Sequence, residues 1–62
     1  MDPITANIRI VRAWYKTASN RFPCIDRVFP NMVDALIFSE THECYSVEIY
    51  DIDNNLLYSK IN

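Results

Sequence analysis

The chain of 62 residues contains no glycine. Glycine-rich loops that cradle phosphates need backbone that only glycine supplies, so the mononucleotide-binding folds built on them are excluded. Tight turns must instead come from Asn, Asp and Ser, whose short polar side chains bond nearby backbone and tolerate left-handed angles. Long apolar runs are also missing, and none approaches the roughly 18 residues of a membrane-crossing helix. The opening MDPITANIRI has neither the basic start nor the hydrophobic block of a secretion signal. Cytoplasmic residence without membrane contact is therefore expected. Cysteine is scarce, and in a reducing compartment Cys24 and Cys44 should be free thiols.

Half of the residues are hydrophobic and 23% are charged, which is too apolar for a disordered tail. The length allows one domain (residues 1–62) and no second. A chain this short buries only about 60% of its unfolded surface, so its stability is marginal and support from a partner is common.

The net charge of −2 conceals a segregation of sign. Residues 1–27 hold five cations, Arg9, Arg12, Lys16, Arg21 and Arg27, against Asp2 and Asp26. Residues 28–62 hold Lys60 against six anions, Asp34, Glu40, Glu43, Glu48, Asp51 and Asp53. The fold either turns this into two oppositely charged surfaces or intermixes the halves.

Cys44 to Ile61 reads as a β-hairpin. Tyr45, Val47 and Ile49 alternate with Ser46, Glu48 and Tyr50, and strand side chains alternate between faces. Asp51 to Asn55 supplies the turn and Leu56 to Ile61 returns. Loop length fixes the register. An odd-length loop centred on Asn54 sets Glu48 opposite Lys60 and Tyr50 opposite Tyr58. Val47, Ile49, Leu57 and Ile61 then share the other face. This register is preferred over a two-residue loop because it satisfies more cross-strand pairs.

Asn7 to Thr17 fits two templates almost equally. As a helix, Ile4, Ile8, Val11, Tyr15 and Ala18 form a stripe, and Asp2-Pro3 resembles a capped start. As a strand, Ile8, Ile10, Arg12, Trp14 and Lys16 share one face, and Arg9, Val11, Ala13 and Tyr15 the other. The β-branched and aromatic content favours the strand. Ala18-Ser19-Asn20 reads as a turn. Arg21 to Phe29 is extended, because Pro23 and Pro30 oppose a helix, and proline confines any strand there to an edge. Asn31 to Glu40 is a helix with Asn31 as N-cap and Asp34 in its first turn. Met32, Val33, Leu36 and Ile37 form the arc expected to face the sheet. Phe38 should point away, as a surface residue or part of a second interface. The expected fold is α+β: a small antiparallel sheet of three to four strands with one helix on one face, in the order β-(β)-α-β-β.

Few groups suggest chemistry. Cys24, His42 and Cys44 are three candidate ligands, one short of a structural zinc site; Asp26 or Glu43 could complete four, but paired metal-site spacing is lacking. Two thiols and a surface histidine explain them more simply, so no metal or other cofactor is expected. A cysteine nucleophile activated by His42 would also need an orienting group and a cleft. Asp51, Asp53 and Asn55 echo the start of a calcium loop, but Leu56 stands where glycine is needed and Asn62 where glutamate is. A hairpin turn accounts for them. No catalytic residue is assigned and no enzymatic activity is expected.

Two binding readings remain. Glu40, Glu43, Glu48, Asp51 and Asp53, with Phe38, would form a surface that docks on a basic site of another protein. Alternatively, Arg9, Arg12, Trp14, Tyr15 and Lys16 interleave cations with aromatics, as single-strand nucleic-acid binders do. The chain is acidic overall and Trp14 is expected in the core, so the first reading is preferred. The expected function is a small binding protein of adaptor or inhibitor type, a kind that phages and other mobile elements often encode. Marginal size, Phe38 and open sheet edges are also compatible with a homodimer.

Overall fold

The computed structural model describes residues 7–17, 19 and 23–62. Several expectations lie outside that set: the Asp2-Pro3 start with Ile4, Ala18 and Asn20 of the turn, and Arg21 and Phe22 of the extended stretch. The described chain runs β1 (Arg9–Trp14), β2 (Cys24–Phe29), α1 (Met32–Thr41), β3 (Ser46–Tyr50) and β4 (Leu56–Ile61). The four strands form one antiparallel sheet in the order β2-β1-β3-β4. The fold is α+β, as expected, with four strands.

Within the Asn7 to Thr17 stretch, Arg9–Trp14 forms a central strand. β1 takes a partner on each side, β2 through Val11 to Arg27 and β3 through Val11 to Ile49. Its alternation follows the strand template, with Val11 and Ala13 fully buried. β2 lies at an edge, where its flanking prolines are tolerated. Pro23 still contributes its carbonyl, which accepts from the Tyr15 backbone at 3.0 Å.

The core is small: Val11, Ala13, Val47 and Ile49 on the sheet, and Ala35 on the helix. Asn31 caps α1 as expected, its side-chain oxygen accepting from the Asp34 backbone at 2.8 Å, while its amide donates to the Asp34 carboxylate. The expected arc needs correction. Val33 and Ile37 are 65% and 56% exposed, and the residues turned fully inward are Ala35 and Ser39. Their small side chains let the helix approach the sheet closely. The buried Ser39 hydroxyl meets its hydrogen-bonding need on the Ala35 carbonyl one turn back, at 2.8 Å. Phe38 is a second correction. It packs against the core, 5.1 Å from Phe29 between ring centres, stacks on His42 and carries the Arg27 guanidinium over its ring.

The hairpin forms, but in another register. Val47 pairs with Lys60, Glu48 with Ser59 and Ile49 with Tyr58, whereas Tyr50 pairs with Leu56. Leu57 is thus the extra residue of a β-bulge. The slip of one residue sends Tyr58 and Lys60 to the face of Val47 and Ile49, and Ile61 to the opposite face. Two features hold this register. Glu40 at the end of α1 accepts from the Tyr58 hydroxyl and from Lys60 Nζ, the latter at 3.1 Å. The loop closes through Asp51, whose carboxylate accepts from the Asp53 and Asn55 backbones, each at 2.9 Å, and from the Asn55 amide at 3.0 Å. Asn54 adopts the left-handed conformation, φ 69°, that a glycine-free turn requires of an Asn.

These contacts can be tested by substitution. Ile49→Ala should cost about 2–5 kcal/mol, a large share of the roughly 3–9 kcal/mol available to a domain of this length. A loss under 1 kcal/mol in urea titration would contradict the assigned core. Hydrogen bonds, first from the Asn55 backbone and then from its side chain, hold the Asp51 carboxyl below its ordinary range. A carboxylate depressed by folding stabilises fully above its unfolded pKa, about 4, and that stability fades as pH falls through the lower folded value. Asp51→Ala should melt at a lower temperature at pH 7 and lose less between pH 5 and pH 2 than the parent. Matching acid profiles would show that the carboxylate does not hold the loop.

Candidate binding face

One face of the sheet carries the helix, and no described element covers the other. Register places three rows of side chains across this uncovered face, because residues directly opposite on antiparallel strands share a face. The first row is Cys24, Trp14, Ser46 and Ile61. The middle row is Asp26, Arg12, Glu48 and Ser59, and the third is Val28, Ile10, Tyr50 and Leu56. A polar stripe is therefore flanked by two rows rich in apolar groups. Val28 and Ile61 stand 67% and 76% exposed, and Ile10, Trp14 and Tyr50 are half-buried. A groove of about 490 Å³ opens at the Trp14 end, bordered by Tyr45, Ser46, Glu48, Ser59 and Ile61.

The polar stripe is ordered by its own contacts. Arg12 grips Asp26 with two parallel hydrogen bonds, Nε to Oδ1 at 3.0 Å and Nη2 to Oδ2 at 3.2 Å. Such fork-to-carboxylate pairing fixes orientation as well as charge. The Arg12 guanidinium also lies 5.3 Å from the centre of the Tyr50 ring, and the Tyr50 hydroxyl donates to Glu48 at 2.9 Å. The Asp26 hydrogen bond and charge raise the Arg12 pKa further, and the Glu48 hydrogen bond raises that of Tyr50. Asp26, Arg12, Tyr50 and Glu48 thus form one connected array at the middle of the face.

The acidic candidates do not form a single surface. Glu48 lies on the uncovered face, and Glu40 sits on the helix side, engaged by Tyr58 and Lys60, which hold its carboxyl below the usual range. Asp51 is occupied in closing its loop, Asp53 lies exposed in the same turn and Glu43 is exposed after the helix. Phe38 belongs to the core side. The basic-aromatic set is divided as well. Arg12 and Trp14 are on the uncovered face, Arg9 and Tyr15 lie on the helix side of the strand, and Lys16 is exposed beyond its end. Trp14 is half-buried on the uncovered face, not in the core, so that expectation is corrected.

No group of three or more His, Cys, Asp or Glu among the described residues is arranged to hold a metal ion. Cys24 is exposed and Cys44 half-buried, both as free thiols. The Cys44 thiol points at the His42 carbonyl, while the His42 ring is hydrogen-bonded to the Tyr15 hydroxyl. The thiol and imidazole are therefore not coupled as nucleophile and base. Among the described residues, no helix is long and apolar enough to cross a membrane.

Ile10, Val28, Tyr50 and Ile61 were not expected as members of one face. The alternation within β1, β2 and β3 was the available signal. It was incomplete because the β4 side chains depend on a loop closure and a bulge that alternation does not report. No family model, curated protein or solved structure matches this chain.

The two thiols should differ in reactivity. Burial pushes the Cys44 thiol up, and only the thiolate attacks a disulfide reagent. Timed labelling at pH 8 with an aromatic disulfide should modify Cys24 first and Cys44 at least tenfold more slowly. Equal rates in the folded protein would contradict the placement of Cys44.

Proposed function

We propose that this chain is a small binding protein of adaptor or inhibitor type that acts on another protein through the uncovered sheet face. The exposed apolar side chains Val28 and Ile61, one in each flanking row of that face, carry the reading. Apolar side chains gathered on one face of a small domain mark an interaction surface, because covering them releases ordered water. The Asp26–Arg12–Tyr50–Glu48 array adds direction, since a partner must match its charges or leave them unpaired in a desolvated contact. Aromatic and arginine side chains at the centre of a contact are those that most often dominate its energetics. Trp14, Tyr50 and Arg12 occupy that position here.

Binding through charge alone receives less support. The carboxylates are spread over both sides of the fold, and Glu40 and Asp51 already serve internal contacts. A nucleic-acid platform receives less again, because Arg12 is held by Asp26 and Tyr15 faces the helix side.

The test compares parent and variants as bait in a native lysate of the source cell. The parent should retain one protein at fixed stoichiometry. Val28→Glu and Ile61→Glu should each reduce retention at least tenfold, with Val33→Glu on the outer helix surface as a control that leaves it unchanged. Retention unaffected by the two face variants, or lost equally with the control, would refute the assigned face.

A further inference from the structure

We infer that the first occupant of the uncovered face is a second copy of this chain, packed sheet to sheet about a two-fold axis. The inference rests on the reading that this face is the binding face, and it identifies what covers it. Consider an axis parallel to the strands, running between the two central strands β1 and β3. Rotation about it lays β1 of one copy over β3 of the other and β2 over β4, while each row of side chains lies over itself in reverse.

Each row is complementary under that operation. In the middle row, Arg12 meets the partner's Glu48 and Asp26 meets the partner's Ser59, and symmetry makes each contact twice. Arg12 uses two of its five N–H donors on Asp26. The others are available to a second carboxylate. In the first row, Trp14 meets the partner's Ser46 at the groove that Ser46 and Ile61 border, so the largest side chain faces one of the smallest. Cys24 falls over Ile61. In the third row, Ile10 meets Tyr50 and Val28 meets Leu56, both apolar contacts.

The charges on the face itself are those of the middle row, Arg12 and Asp26 on the β1–β2 half and Glu48 on the β3–β4 half. A two-fold axis on the seam between β1 and β3 sets Arg12 against the partner's Glu48 on both sides of the axis. A face of four strands measures about 20 by 18 Å. With side-chain relief, two such faces bury on the order of 1,000 Å² in total, near the lower bound for a specific contact. The pair should therefore be weak and concentration-dependent, with a dissociation constant on the order of 10 μM.

Sedimentation equilibrium of the purified full chain from about 1 μM to 1 mM provides the test, with circular dichroism to confirm that each variant is folded. The parent should pass from monomer to dimer and stop there. Arg12→Glu and Glu48→Arg should each weaken the dimer at least tenfold, because each sets like charges together. Mixed one to one, the two variants should restore it, since opposite charges then face each other at both of these contacts across the axis. Val28→Glu and Ile61→Glu alter exposed positions that the fold does not need, and should abolish the dimer even if a charge variant fails to fold. A dimer indifferent to Val28→Glu and Ile61→Glu would overturn the inference. So would a parent that stays monomeric at 1 mM, in which case the lysate comparison alone decides the binding-face reading.

Discussion

A ten-residue helix is about 15 Å long and about 10 Å wide, whereas a sheet of four strands presents two faces. Among the described residues one helix therefore covers part of one face, and no other described element covers the second. That shortage of covering material is the constraint on which the rest of this structure depends. Among the described residues the fully buried core is correspondingly slight, five apolar residues of which two are alanines. Small side chains at Ala13, Ala35 and Ser39 compensate by bringing helix and sheet close, so that a few large residues fill the space.

Contacts around the edge of this core then act as fasteners. Phe38 between Phe29 and His42 secures the helix to β2, while Glu40 ties its far end to Tyr58 and Lys60 on β4. The exposed ion pairs contribute little energy individually. Their effect is to fasten β4 in one register, with Tyr58 and Lys60 on the helix side. In a domain of small net stability, that register decides which side chains of β4 face outward.

Much of the architecture was legible in the residues. The strand nature of the segment around Val11 followed from its β-branched and aromatic content. The edge position of β2 followed from Pro23, and the helix start from Asn31. Two features were not legible, for distinct physical reasons. Hydrophobic patterning favours Val33 and Ile37 for the interior, whereas close approach selects Ala35 and Ser39, which patterning scores weakly. The register of β4 was set by the Asp51 carboxylate gathering three donors and by the bulge at Leu57, neither of which alternation encodes. That slip displaced Ile61 onto the face opposite the helix and kept the composition of that face out of view. The acidic residues attracted attention as a class, but position divided them among a loop closure, a helix tether and the sheet face.

The bulge on β4 bears on how this molecule avoids open-ended growth. Unpaired strand edges invite addition of further chains, and repetition of that addition builds fibres. Here one outer strand carries Leu57 out of step, and the other is bracketed by Pro23 and Pro30, neither of which has a backbone N–H to donate. Lateral addition is discouraged on both flanks. Among the described strands, growth by edge-to-edge addition is thus opposed at both outer positions, and the exposed apolar side chains of the open face lie away from either edge's hydrogen-bonding groups.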